Sequence, residues 1–168
     1  MRKKKKAKLE EELYWSNFFY FNVPAHLNEI PTHMERLNFR RYHVDDEGIL
    51  KMVGVVRSVY QMDLDGTDIT NEGIRHLTQL EKIQELRLKN CKGIDNGCLE
   101  FLYQIKGLEL LYLGGSGITV DGLSGISCLK DLKSFYISAD DNEDPEKLRS
   151  IAASLPPGCE FIVNHRAF

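Results

Sequence analysis

Asp63, Asp65 and Asp68, set around Gly66-Thr67, have the types and spacing to gather a divalent cation, because hard ions take oxygens from alternate positions of a short loop. The twelfth position counted from Asp63 is Ile74, where a calcium loop needs a bidentate glutamate, so the stretch is only half of such a loop. Asp140, Asp141, Glu143 and Asp144 form a second acidic cluster, and it reads as a solvated loop that caps the helix after it. Gly114-Gly115-Ser116-Gly117 has the glycines of a phosphate cradle but not the spaced lysine of a P-loop, and reads as a tight turn.

The remaining reactive types are equally dispersed. Cys91, Cys98, Cys128 and Cys159 lack the C-x-x-C pairs of a zinc site and read as reduced, structural thiols. His26, His33, His43, His76 and His165 stand in no dyad with a serine or cysteine nucleophile. The expectation is a chain that is not an enzyme, with no metal and no other cofactor.

These residues sit on a repeat. Val59–Leu64 reads V-Y-Q-M-D-L, Ile83–Leu88 reads I-Q-E-L-R-L, Leu108–Leu113 reads L-E-L-L-Y-L and Leu132–Ile137 reads L-K-S-F-Y-I. Their last apolar positions, Leu64, Leu88, Leu113 and Ile137, are 24, 25 and 24 residues apart. That interval and the form L-x-x-L-x-L predict a leucine-rich-repeat solenoid of class α/β, with parallel strands on a concave face and return helices outside. Each strand is followed by the same turn and helix start, at Ile69-Thr70-Asn71-Glu72-Gly73-Ile74, Ile94-Asp95-Asn96-Gly97-Cys98-Leu99 and Ile118-Thr119-Val120-Asp121-Gly122-Leu123. Leu86 and Leu88 are expected to stack between Met62 and Leu64 on one side and Leu111 and Leu113 on the other. Asp144 as N-cap, Pro145 at the first helical position and the stripe Leu148, Ile151, Ala152, Leu155 predict a helix that Pro156-Pro157-Gly158 stops. Cys159-x-Phe161-x-Val163 then alternates like a strand and is expected to cap the stack.

Residues 59–168 thus carry the repeats and their C-terminal cap. Residues 1–12 form a basic and then acidic head, and 13–58 an N-terminal capping region rich in aromatics. Six aromatics fall within Leu13–Val23, Trp15, Phe18, Phe19 and Phe21 among them. Two readings fit them: they cover the open end of the first repeat, or they sit at a lipid headgroup interface beside the lysines of the head. Asp45-x-x-Gly48-Ile49 echoes the repeat, and a degenerate first unit is expected near Leu37-Asn38-Phe39. No run of about 18 apolar residues is present to span a bilayer as a helix. A net charge of −3 is of the wrong sign for general nucleic-acid binding, and no nucleic-acid partner is expected.

Side chains alternate along a strand, so inward Leu86 and Leu88 put Glu85, Arg87 and Lys89 on the concave face. The same register exposes Gln61, Asp63 and Asp65, then Leu110 and Tyr112, then Ser134, Tyr136 and Ser138. Glu85, Arg87, Leu110, Tyr112 and Tyr136 are the expected protein-binding residues, since arginine and aromatic side chains anchor interfaces. The competing reading has the tyrosines merely covering their neighbours.

The block Lys82-Ile83-Gln84-Glu85-Leu86-Arg87-Leu88-Lys89-Asn90-Cys91-Lys92-Gly93-Ile94-Asp95-Asn96-Gly97-Cys98-Leu99, with an aromatic-rich head before it, resembles a mitochondrial leucine-rich-repeat family. That family comprises ATP synthase subunit s (coupling factor B) and distal membrane-arm assembly component 2 of complex I. The resemblance covers roughly residues 13–165. It implies a non-catalytic assembly factor or accessory subunit on the matrix side of the inner membrane, with subunits of a respiratory-chain membrane complex or ATP synthase as partners. Trp15, Phe18, Phe19 and Phe21 would then dock on that partner or touch the membrane peripherally. A metal near the junction of head and repeats is also implied for the subunit s type, where Asp65-Gly66-Thr67-Asp68 is similar and Thr67 is the residue that carries over. Lysines followed by Glu10-Glu11-Glu12 are unlike an arginine- and serine-rich presequence, so the resemblance implies that a presequence was removed or that the import signal lies elsewhere. The cysteine-containing repeat also occurs in substrate receptors of ubiquitin ligases, so the alternative is a repeat adaptor lacking its own F-box.

Overall fold

The computed structural model of the chain describes residues 4–6, 8–10, 13, 31–40 and 43–168. Within them one sheet places its seven strands side by side in chain order. They are β1 (His33–Asn38), β2 (Ser58–Asp63), β3 (Lys82–Arg87), β4 (Leu110–Tyr112), β5 (Ser134–Ile137), β6 (Glu160–Val163) and β7 (Arg166–Ala167). Pairing is parallel from β1 through β6, and β7 folds back antiparallel on β6. The sheet is open, with β1 and β7 as its edges. The α/β class and the parallel sheet are as the sequence predicts.

Parallel neighbours cannot be joined by a hairpin, so each pair needs a crossover. The crossovers are α1 (Asp46–Val53), α2 (Asn71–Leu77), a 3₁₀ turn (Asn96–Cys98) continued by α3 (Leu99–Leu102), a 3₁₀ helix (Val120–Cys128) and α4 (Pro145–Ser154). Four of the five begin at a side chain whose oxygen caps them. Asp45 Oδ1 accepts Gly48 N–H at 2.9 Å, Thr70 Oγ1 accepts Glu72 N–H at 3.2 Å, and Asp95 Oδ1 accepts Gly97 N–H at 2.8 Å. Asp144 Oδ1 does the same for Glu146 N–H at 2.9 Å, with Pro145 at the start of α4. Such caps satisfy amides that the first helical turn leaves without an internal partner.

The residue after each of the first three caps ties neighbouring units together. Asp46 accepts the N–H of Thr70 at 2.8 Å and its hydroxyl at 2.6 Å. Asn71 makes the corresponding pair of bonds to Asp95, and Asn96 to Thr119. These side chains need room in the next unit, which glycine supplies: a Cβ on Gly73 would lie 2.5 Å from Asp46 Oδ1.

The core lies between the sheet and these crossovers. Met62, Leu86 and Leu111 are neighbours in register, as are Leu111, Phe135 and Phe161. Leu64, Leu86, Leu88 and Leu111 are fully buried, and each such leucine contributes on the order of 1.5–3 kcal/mol of burial. The stacking expected of Leu86 between Met62 and Leu111 is therefore observed, and Leu88 is buried in the same core. Phe135 and Phe161 stack at 5.6 Å, joining β6 to β5 as the alternation around Phe161 predicts.

Three features depart from or extend the sequence expectation. The crossover after β4 is 3₁₀ rather than α, because Val120–Cys128 carries Gly122 and Gly125, which disfavour the α-helix. Gly125 is itself required, since a Cβ there would meet the Tyr103 ring. β1 and α1 lie inside the segment assigned to the N-terminal cap, yet Leu37 stands opposite Met62 and Phe39 N–H bonds Asp63 O at 2.8 Å, in register with the repeats. The aromatics Trp15, Phe18, Phe19 and Phe21 lie outside the described residues. Among the described residues no helix is long and apolar enough to cross a membrane.

Candidate protein interface

The face of the sheet away from the core is built by the alternate side chains of each strand. One row runs Arg36, Gln61, Glu85, Leu110, Ser134 and Glu160, and the next runs Asn38, Asp63, Arg87, Tyr112, Tyr136 and Ile162. The five predicted contact residues are thereby brought onto two adjacent rows in the middle of the sheet. Glu85, Arg87, Leu110, Tyr112 and Tyr136 are all half-buried.

Their chemistry grades along the rows. Tyr112 and Tyr136 stack with ring centres 5.0 Å apart, forming a flat apolar shelf. Lys89 Nζ lies 5.6 Å from the centre of the Tyr112 ring, within cation–π range. Glu85 is held by the Gln61 amide, which donates at 2.9 Å. Arg87 Nε is buried with no hydrogen-bond partner.

The first units differ from the sequence expectation. Asp63 and Asp65 were expected on the exposed face, but they are only 4% and 7% exposed. Arg40 covers them: its Nη2 lies 3.1 Å from Asp63 Oδ2 and 2.6 Å from Asp65 Oδ2. Asp65 Oδ1 also accepts Lys89 N–H at 2.8 Å, and Asp63 Oδ1 accepts Asp65 N–H at 3.1 Å. The field of Asp63, then that of Asp65, raises the pKa of the Arg40 guanidinium above its ordinary value. Alternation alone hides this clamp, because Arg40 arrives from a different unit 23 and 25 residues earlier.

A second unforeseen contact comes from the far edge. Asn164 and His165 both adopt positive φ, 50° and 65°, forming the two-residue turn between β6 and β7. That turn brings His165 Nδ1 within 3.4 Å of the Tyr112 hydroxyl. Tyr112 is therefore met by a histidine at its hydroxyl and by a lysine over its ring.

The stretch that resembles a metal-binding segment does not fit a metal here. Thr67 Oγ1 donates to Leu64 O at 2.8 Å, and Asp65 is occupied by Arg40 and the Lys89 amide. No group of three or more histidine, cysteine or carboxylate side chains among the described residues is placed to share an ion. Cys91 lies beneath the turn, its thiol donating to Leu64 O at 3.1 Å, and burial pushes its pKa up. Cys98 is pushed up to about 12 by the same cause, so both are protonated, inert thiols at neutral pH.

No protein-family model matches the chain. Curated proteins do. The chain is 28% identical over 109 residues to ATP synthase subunit s, mitochondrial, of Rattus norvegicus, and 27% identical over 109 residues to that of Mus musculus. Both matches take in 60% of this chain and 54% of the relative. The protein of the same name from Bos taurus is 29% identical over 82 residues, 45% of this chain and 41% of that one. The chain therefore spans about half the length of the curated relatives it matches.

Proposed function

We propose that this chain is a short leucine-rich-repeat protein that acts as a non-catalytic accessory protein of mitochondrial ATP synthase. In this reading it resides in mitochondria, on the matrix side of the inner membrane. It docks on a protein subunit through the open face of its sheet, with Glu85, Arg87, Leu110, Tyr112 and Tyr136 as the contact residues. The aromatics Trp15, Phe18, Phe19 and Phe21 form a second contact, with protein or with lipid headgroups.

The observation that carries the reading is the similarity to ATP synthase subunit s from three mammals. The face supports it, because it presents an arginine and two tyrosines, the side chains that anchor interfaces.

Affinity purification of the tagged chain from detergent-solubilised mitochondria, followed by native gels and mass spectrometry, tests it. Recovery with ATP synthase is expected, and the double variant Arg87→Glu with Tyr112→Ala is expected to lose that partner while its melting temperature stays within a few degrees. Recovery with complex I intermediates, or with ligase components from cytosol alone, would overturn the assignment. Equal loss of folding in the variant would make those residues structural.

A further inference from the structure

The charges on the open face are not distributed evenly by depth. On β1 to β3 its carboxylates are already engaged: Asp63 and Asp65 lie buried beneath Arg40, and Glu85 is held by Gln61, while Glu160 stands exposed on β6. Its cations other than Arg40 are not engaged in this way. The Arg87 side chain makes no ion pair or hydrogen bond among the described residues, and its Nε is buried without a partner. Lys89 holds its ammonium over the Tyr112 ring, a contact that leaves its N–H donors free, and Arg36 is exposed on β1. Counted over the face, Arg36, Arg40, Arg87 and Lys89 balance Asp63, Asp65, Glu85 and Glu160, so what distinguishes the ground around Arg87 is that its cations are uncommitted while the carboxylates beside them are taken.

A buried guanidinium nitrogen without an acceptor is costly, and that cost is recovered when an acceptor arrives. The fork of an arginine is matched best by a carboxylate, which takes two parallel N–H bonds. Arg87 and Tyr112 stand opposite one another in register, and Tyr136 follows on the next strand. An occupant that meets Arg87 therefore also meets the tyrosine shelf, one strand spacing, about 4.8 Å, further on.

We infer that the open face binds an acidic segment of its partner protein, one carboxylate on the Arg87 fork, a second within reach of Lys89, and an apolar side chain lying on Tyr112 and Tyr136. This rests on reading that face as a protein-binding surface and adds the chemistry of what it takes.

The experiment uses the full chain, isotopically labelled, titrated in an NMR tube with three synthetic peptides: alternating glutamate and leucine, glutamine and leucine, or lysine and leucine. The Arg87 Nε–H resonance and the amides of 85–89, 110–112 and 134–136 are followed. The glutamate peptide is expected to shift them, the other two to leave them still, and Arg87→Gln to weaken the binding tenfold or more while the amide spectrum of the core is unchanged. Tyr112→Ala, tested separately, is expected to weaken the same titration without abolishing the Arg87 shift. Equal response to the glutamine peptide, preference for the lysine peptide, no response at millimolar peptide, or shifts confined to residues elsewhere would each overturn the inference. It is separable from the ATP synthase assignment. A chain that fails to co-purify with ATP synthase but keeps the glutamate-dependent Arg87 shift retains an acid-reading face with a different partner. Co-purification that survives Arg87→Gln would keep the assignment and sink the acidic segment.

Discussion

Arg40 shows how much a single side chain decides on this sheet. Two carboxylates buried side by side repel one another and lose hydration, and the cation that makes them tolerable comes from the first unit. Its side chain is 52% exposed, so water screens part of the attraction and the interaction is worth less than a fully buried pair. Arg40→Ala is expected to cost about 1–3 kcal/mol in urea unfolding, most of it recovered by Arg40→Lys; an unchanged midpoint would mean that the clamp adds nothing. Thiol reactivity gives a second test at this scale. Cys128 is exposed, whereas Cys91 and Cys98 are buried with their pKa values raised by that burial. Thiolate is the nucleophile, so iodoacetamide at pH 8 is expected to label Cys128 first and to reach Cys91 and Cys98 only in denaturant. Labelling of Cys98 in the native protein would contradict the packing. The sequence made Cys91 and Cys98 legible as structural thiols, but Cys128, read in the same way, is exposed, and the clamp could not be seen at all. Strand alternation assigns Asp63 and Asp65 to a face without saying what lies over that face.

Elements were the most legible level, for reasons of period. The interval of 24 and 25 residues between Leu64, Leu88 and Leu113 located β2, β3 and β4, and the run Asp144-Pro145 located α4. What escaped is informative. The β6–β7 hairpin turns at Asn164-His165, and histidine is not a residue whose presence announces two successive positive φ angles, so the usual Asn-Gly signal was missing. The 3₁₀ crossover escaped because Gly125 is set by Tyr103, a neighbour one unit away. Two variants probe the stacking. Leu88→Ala, at a fully buried core position, is expected to cost roughly 2–5 kcal/mol in denaturant unfolding, and a near-neutral result would place the register elsewhere. Gly73→Ala forces a Cβ against the Asp46 carboxylate and is expected to cost about 1–3 kcal/mol even though alanine favours helices. Were it to stabilise instead, the Asp46 bridge to Thr70 would be dispensable.

The whole molecule behaves as a line of neighbours. Element contacts fall almost entirely between units adjacent in sequence: β1 with β2, β2 with β3, β3 with β4, β4 with β5 and β5 with β6 on the sheet side, and α1 with α2 behind it. In such an array stability is a sum of unit and interface terms, and an interior unit is held from two sides while a terminal one is held from one. The two ends are also built differently. At the β6 edge the short antiparallel β7 covers the strand, Phe168 meets Phe161 edge-on at 5.5 Å, and Asn164 bonds the Ala139 carbonyl at 2.8 Å. At the other end β1 forms the edge, and its Arg40 clamp is half in water. Native-state hydrogen exchange is therefore expected to be slowest for the amides that bond across β2, β3 and β4, such as Leu64, Leu88 and Leu113, which donate to carbonyls of the following strand at 2.8–2.9 Å. The Phe39 amide, which donates to Asp63 O at 2.8 Å, should exchange by a cheaper opening than Leu88, and removing the C-terminal hairpin from Asn164 onward should raise exchange at β5 and β6 while leaving Phe39 unchanged. Uniform protection from β1 to β6 would mean that the array opens only as one body, and that the rows on β3, β4 and β5 proposed to bind a partner owe their rigidity to the whole fold rather than to the units beside them.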